Sequence, residues 1–331
     1  MPVNVPMSLL PDYRIVFFDE IDDPYKITQL FQLSLGFTAM PHVLKYIREH
    51  DGRYTPEFGI FAVTGDGVVA GGHFLMRITS ETIRGSLDVG GVNAVGTRPD
   101  HSRRGIMTSV MSRTHEYLRE RGLEYSILTT SQRLGAMMMY EKMDYVTIAS
   151  GWTATKYPKG TRIPAPKEIQ VRLFSKDDLD AVDNVYNETT KGSYGFIHRP
   201  KRFLEAREYS SGPIKWEHLR IAQRGADVTG YAYWDVGPGT CEALEIKALD
   251  KASFHGLLAE AEQQNPDAAI TTYDPTSPQV SWLKEVGFQA PIETYMRLVI
   301  KSLEGKSDAE AIKKLYGVDS GRFRLGFWDG T

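Results

Sequence analysis

Val92-Asn93-Ala94-Val95-Gly96-Thr97-Arg98-Pro99-Asp100-His101-Ser102-Arg103-Arg104-Gly105-Ile106-Met107-Thr108 joins an apolar run to a helical one through a short basic loop. A strand ends near Thr97, a loop with two arginines and a glycine follows, and a helix starts at once. The first turn of a helix carries unpaired N–H groups and a partial positive charge, so it binds phosphate readily. Gly105 lets an anion approach the backbone with no Cβ in the way. Arg103 and Arg104 add forked donors suited to phosphate oxygens. The ligand expected from this pattern is a pyrophosphate, although Arg-Arg-Gly before a helix also occurs as ordinary loop chemistry.

Outward from this stretch, the first half of the chain alternates strands and helices. Residues 13–18 form a strand candidate, and Asp22-Asp23-Pro24 a helix start with carboxylates near its positive end. Proline in its first turn marks a second helix over 41–49. Residues 58–63 and 68–78 are strand candidates separated by Thr64-Gly65-Asp66-Gly67, a hairpin signal. A third strand is expected over 88–97 and a helix over 103–121, stopped by Gly122. Residues 125–129 read as a strand, 135–142 as a short helix and 145–156 as a final strand.

Proline-rich segments at 157–160 and 163–166 then break the pattern, which makes this the expected domain boundary. The order begins again. Strands are expected over 171–174, 219–223, 230–236, 242–249, 269–273 and 291–300, and helices over 176–187, 253–262 and 278–285. The two halves thus repeat one topology. The expected layout is a first domain over 1–157, a linker over 158–168, a second domain over 169–301 and a docking tail over 302–331.

Composition narrows the class. A chain of 331 residues suggests two domains of about 100–200 residues each. Hydrophobic residues at 41% and charged residues at 24% are globular values. The net charge of −3 gives no overall basic footprint, so no nucleic-acid partner is expected. Cys241 is the one cysteine, which excludes an internal disulfide and any Cys-rich metal site. Residues 1–10 do not read as a signal peptide, and no apolar run reaches membrane-spanning length. A cytoplasmic protein with no membrane partner is expected. His73, His101 and His115 lack metal-ligand spacing, so no metal is expected either.

The 92–108 stretch resembles the acetyl-CoA-binding motif of the GNAT superfamily of N-acetyltransferases. Pro99, Asp100, Arg103, Arg104, Gly105 and Ile106 carry the likeness; Ser102 stands where the family has Arg or Gln, and Met107 where it has Gly or Ala. Tyr140-Glu141-Lys142-Met143-Asp144-Tyr145 resembles the family's second cofactor motif, with Asp144 in place of a glycine. Two such domains in tandem look like the enhanced-intracellular-survival (Eis) branch, whose sterol-carrier-like third domain does not fit in residues 302–331. The resemblance implies an α/β (α+β) fold of two tandem GNAT-like domains, each a mixed, mostly antiparallel sheet flanked by helices. The second half looks like a worn copy: it has no Arg-x-x-Gly loop, and Leu283 stands at the place of Tyr140.

The implied activity is acetyl transfer from acetyl-CoA, with CoA as product, to a primary amine of a small molecule or to lysine. The implied cofactor residues are Val95, Gly96, Thr97, Ser102, Arg103, Arg104, Gly105, Ile106, Met107, Thr108 and Ser131. Backbone N–H near Val95 would polarise the thioester carbonyl, and Tyr140 would assist the leaving thiolate, since a phenol titrates near ~10 against ~8.5 for a thiol. Read without the family, Tyr140 is a packed aromatic on a Met-rich helix. The general base is open among the Thr331 carboxylate, Glu81, Asp88 and water. The resemblance allows a homo-oligomer. It also leaves open another acyl-CoA transferase on the same fold and a non-catalytic acyl-CoA sensor.

Overall fold

The computed structural model describes residues 12–158, 160–208, 214–326 and 329. The chain opens with β1 (Tyr13–Phe17), α1 (Tyr25–Leu35), α2 (Pro41–His50), β2 (Tyr54–Thr64), β3 (Val69–Thr82) and β4 (Gly85–Thr97). Then come α3 (Ile106–Glu120), β5 (Tyr125–Ser131), α4 (Ala136–Lys142) and β6 (Val146–Lys156). The second half holds β7 (Gln170–Leu173), α5 (Leu179–Thr190), β8 (Tyr194–Phe196), α6 (Phe203–Ala206), β9 (Leu219–Arg224), β10 (Asp227–Gly237) and β11 (Thr240–Ala248). It ends with α7 (Lys251–Gln264), β12 (Ala269–Tyr273), α8 (Ser277–Glu285) and β13 (Gln289–Ser302), and the tail adds α9 (Ala309–Leu315) and β14 (Phe323–Leu325).

Local chemistry sets most of these boundaries. The turn between β2 and β3 closes at Gly67, whose φ of 85° needs a residue without Cβ strain. α3 stops in a Schellman arrangement, with Gly122 at φ 72° and the Leu123 N–H bonded to the Leu118 carbonyl at 3.1 Å. α8 starts with a capping box of Thr276 and Gln279. One boundary differs from the sequence reading. The helix expected from residue 103 begins at Ile106, because Arg103 (φ 60°) and Gly105 (φ 77°) are both left-handed and cannot belong to a right-handed helix. The three-residue strands β8 and β14 and the single turn of α6 are too short to show a period, and the sequence reading did not include them.

The sequence reading gives each half its own sheet. The structure joins them into one fourteen-stranded sheet, with main path β1-β2-β3-β4-β5-β13-β6-β12-β11-β10-β9-β7. The halves exchange their last strands. β13 inserts between β5 and β6, pairing antiparallel with both, while β6 runs on to pair with β12. Most pairings are antiparallel; β4 with β5, β11 with β12 and β14 with β8 are parallel.

Alternate residues of a strand face opposite sides. Ile60 and Ala62 of β2 enter the core under α3 and α4, while Phe61 and Val63 enter the core under α1 and α2. The tail completes this second face: Ile312, Leu315 and Tyr316 pack with Ile127, Leu298 and Ile300, and the Tyr316 hydroxyl lies 3.1 Å from Ser80 Oγ. The linker is pinned by Glu262, which takes the Lys156 ammonium at 2.5 Å and the Ile163 N–H at 2.8 Å. Among the described residues no helix is long and apolar enough to cross a membrane. Phe327, Trp328 and residues 1–10 lie outside the described residues.

Leu298 is fully buried on the exchanged strand β13 and packs against the first half. Leu298→Ala should therefore destabilise the fold by about 2–5 kcal/mol. Calorimetry should still show one cooperative transition; two separate transitions would contradict the coupling of the halves.

Candidate functional site

β4 and β5 are parallel neighbours at only two positions, Gly90 opposite Ser126 and Gly91 opposite Ile127. Beyond them the strands part. β4 stays paired with β3 as far as Thr97, and β5 stays paired with β13 as far as Ser131. The facing edges, from Val92 along β4 and from Leu128 along β5, have no ladder partner among the described residues. A groove results, with backbone N–H and C=O groups on both banks.

A β-bulge bends the β4 bank. Between the pairs Gly72–Gly96 and Phe74–Asn93, His73 of β3 faces two residues, Ala94 and Val95. Ala94 takes a φ of 55°, the left-handed setting of such a bulge. Gly96 is needed here, because a Cβ would collide with Ser34 of α1. Thr97 ends the strand opposite Gly71.

The loop then delivers α3 to the mouth of the groove. Ser102 donates its hydroxyl to the Pro99 carbonyl at 2.7 Å, closing a short 3-10 turn. Arg98 holds Asp100 in a two-pronged ion pair and keeps its carboxyl below the usual range. That acid is thereby neutralised within the loop. Arg104 is tied to the Tyr13 hydroxyl and the Asp100 carbonyl, both at 3.2 Å. Arg103 is exposed and makes no hydrogen bond or ion pair among the described residues. Gly105 is the N-cap, no side chain caps the helix, and a Cβ built on Gly105 meets nothing within 4 Å. The helix start thus offers free N–H groups, open space and two cations. Thr108 lies half-buried in the first turn, while Ile106 and Met107 turn inward to the core that holds Tyr140 and Val92, with Val95 packed against it. The large residue at Met107 therefore leaves the backbone approach clear.

On the other bank, Ser131 closes β5 and accepts the Arg133 N–H at 3.3 Å. Tyr140 is buried on α4 with its ring edge-on to Tyr145, 5.7 Å between centroids. Its hydroxyl makes no hydrogen bond among the described residues. Burial pushes the phenol up to about 12, so Tyr140 keeps its proton at neutral pH. Tyr145 is bound instead, to Ser126 at 2.6 Å and His115 at 3.0 Å. Asp144 occupies a left-handed position, φ 70°, which explains how it stands where a glycine was expected. Its carboxylate also accepts the Ser307 N–H at 2.7 Å, fastening the tail.

The candidate bases are not free. Glu81 accepts from Ser86 and His198, both at 2.9 Å, and Asp88 is held by Arg77 at 2.6 Å and Thr79 at 2.7 Å. Hydrogen bonds and ion pairs leave both carboxyls below their usual range. Both lie at the far end of the β3–β4 ribbon; Asp88 stands six positions before the bulge, a span of roughly 20 Å. Thr331 lies outside the described residues.

The second half repeats the groove but not the helix start. β11 and β12 are parallel neighbours from Thr240–Ala269 to Ala243–Thr272 and then part. There α7 is capped by Asp250, which accepts the Ser253 N–H at 2.8 Å and pairs with Arg224 at 3.0 Å. A built-in carboxylate occupies the place an anion would take.

Residues 20–148 match the family model described as an acetyltransferase (GNAT) domain. An uncharacterised N-acetyltransferase of Streptomyces coelicolor is 27% identical over 183 residues, which cover 50% of this chain and 43% of that one. The chain spans about half the length of the curated relatives it matches. Among solved structures, a GCN5-related N-acetyltransferase from Kribbella flavida aligns with TM-score 0.64 and 16% identity, over 88% of this chain and 71% of that one. Eis1 from Mycobacterium abscessus aligns with TM-score 0.58 and 17% identity, over 88% and 74%. At these identities the structural likeness is one of fold.

No group of three or more metal-ligating side chains occurs among the described residues. His101 touches the Tyr13 hydroxyl at 2.9 Å. His73 and His115 are core residues. The His73 Nδ1–H donates to the Phe74 carbonyl at 2.9 Å, and Nε2 lies 2.6 Å from the Thr114 hydroxyl. Burial lowers His73 to about 4 and His115 to about 3. Both rings are neutral when folded and charge near pH ~6.5 when unfolded. Stability is therefore full above pH ~6.5 and falls as the pH drops toward those values, by up to about 1.4 kcal/mol per pH unit for each ring. Urea unfolding between about pH 7.5 and about pH 5 should show this loss, and His115→Phe should flatten its slope by up to one proton. An unchanged slope would mean that His115 is not buried neutral.

Proposed function

We propose that the chain, whose residues 20–148 match the family model of an acetyltransferase (GNAT) domain, is an acetyl-CoA-dependent N-acetyltransferase acting on a primary amine of a small molecule or on lysine. One observation carries the reading: an uncapped helix N-terminus, flanked by exposed Arg103 and Arg104, opens at the mouth of a groove whose β4 edge is unpaired. The free N–H groups of the first turn of α3 and the two arginines suit a pyrophosphate. Val95, Gly96 and Thr97 offer a backbone edge for an amide-bearing arm, and Ser102, Ile106, Met107 and Thr108 frame the loop and first turn. Ser131 faces them from β5. When bound, acetyl-CoA supplies an acetyl group activated as a thioester. The extra residue of the bulge leaves an N–H free to polarise a carbonyl. Tyr140 holds its proton through the physiological range and donates a hydrogen bond to a sulfur that gains negative charge. The similarity to two uncharacterised N-acetyltransferases of Streptomyces supports the same chemistry.

Calorimetric titration tests this directly. Acetyl-CoA should bind once per chain, and the Arg103→Ala/Arg104→Ala double variant should weaken it by at least about tenfold, the worth of one charge-assisted bond. Absence of binding to the wild type would remove the reading. Turnover separates the role of Tyr140. Tyr140→Phe should lower kcat about 10- to 100-fold, as expected for one hydrogen bond to a developing charge, and leave acetyl-CoA affinity unchanged. Because the phenol titrates near about 12, the wild-type rate should show no alkaline fall from this group below about pH 10. A Tyr140-dependent fall near neutrality would contradict this role.

A further inference from the structure

The groove of the second half is not empty of chemistry. Where β11 and β12 part, a cavity of about 230 Å³ opens, walled also by α5, α8 and the tail. That is below the roughly 300–1,000 Å³ of sites for drug-sized ligands, so an occupant the size of an amino acid fits and a nucleotide does not. Asp250 closes the α7 terminus, which removes the usual anchor for phosphate.

Three charged side chains in the wall have unused bonding capacity. Asp274 accepts the Trp152 N–H through Oδ1 at 2.9 Å, and its other oxygen has no hydrogen bond among the described residues. Lys247 makes no ion pair or hydrogen bond among them; its ammonium lies 5.4 Å from the Tyr186 ring centroid. Arg324, also in the wall, donates through Nη1 to the Gly321 and Phe323 carbonyls, and its Nε is buried without a partner. Lys247 and Asp274 feel each other's charge without forming a 4 Å ion pair. Burial raises the Asp274 carboxyl to about 6, against the pull of Trp152 and Lys247. A buried acid and a cation held apart across a small cavity are each stabilised by an occupant bearing the opposite charge. The rest of the wall includes Leu244, Ile246, Tyr273 and Trp282, which supply apolar and aromatic surface.

We propose that this cleft binds one free α-amino acid: its ammonium on Asp274, its carboxylate on the Lys247 ammonium, and its side chain against Tyr273 and Trp282. The site is separate from the β4–β5 groove and does not depend on the activity proposed there. It gives the second half a ligand role in place of the cofactor role its capped helix excludes.

The test uses the full chain and the twenty proteinogenic amino acids, offered singly in thermal-shift assays and then by calorimetry. At least one should bind with 1:1 stoichiometry at submillimolar to millimolar concentration. Its N-acetyl and methyl-ester derivatives, which each remove one charge, should bind at least about tenfold more weakly. Asp274→Asn and Lys247→Met should do the same, while Arg103→Ala/Arg104→Ala should leave the binding intact. Failure of all twenty to bind, or equal binding of the charge-blocked derivatives, would overturn the proposal; the latter readout needs no variant to fold. A second acetyl-CoA per chain displaced by these variants would overturn it too, by making the cleft a cofactor site.

Discussion

Two residue pairs, Gly90 with Ser126 and Gly91 with Ile127, hold β4 and β5 together, and the rest of the first half is arranged around their brevity. Parallel strands need a crossover, and α3 supplies it. Gly90 lets that helix come close, since a Cβ there would strike Leu118. Past this pivot both strands are held apart. The bulge at Ala94–Val95 bends β4 away while β3 keeps it paired, and β13 holds the opposite edge of β5. Unpaired edges within a sheet are costly unless water or a ligand meets their polar groups. The groove is therefore built into the pairing of the strands and is not a gap left by loose packing.

The exchange of last strands gives that arrangement its rigidity. β13 belongs to the second half by sequence, yet it is the strand that keeps β5 from following β4. β6 does the reciprocal service for β12. Each half thus depends on the other for the strand that props its groove open, and the tail seals the face where Leu298 and Ile300 meet Ile127. This dependence accounts for a groove in a half whose helix start is capped by a carboxylate. The sheet geometry is shared, whereas the capping of each helix is set by a few local residues. Gly105 leaves α3 open and Asp250 closes α7.

How much of this was legible in the sequence follows from the range of each interaction. The hairpin at Thr64–Gly67, the stop at Gly122 and the start of α8 depend on residues a few positions apart, so their signals lie in the letters. The repeat of topology was legible for the same reason. The exchange of β6 and β13 was not, because pairing partners more than a hundred residues apart leave no local trace. β8 and β14 span three residues each and show no period. At the site, the Arg-Arg-Gly loop could be read directly. The left-handed setting of Arg103, which delays the helix, could not, because that conformation is rare for a residue with a Cβ. The inward turn of Met107 is decided by packing, and the engagement of Glu81 and Asp88 by partners that only the fold brings near. The sequence reading starts α7 at residue 253 and does not use Asp250, which the structure shows to be its N-cap.

Asp144 shows how a departure from a family pattern is absorbed. The turn between α4 and β6 needs a left-handed residue, and the corresponding turn of the second half uses Gly287 at φ 89°. Aspartate tolerates this conformation better than most residues with a Cβ, at a cost of roughly 1–2 kcal/mol against glycine. Its carboxylate offsets that cost by binding the Ser307 N–H and lying 3.8 Å from the Lys301 ammonium. These contacts fasten the end of β13 and the start of the tail to the turn that follows Tyr140. A glycine there would relieve the backbone and remove this bond to the tail. The substitution thus moves the turn's stabilisation from local backbone freedom to a long-range bond, and it couples the position of α4 to the strand that keeps the groove open.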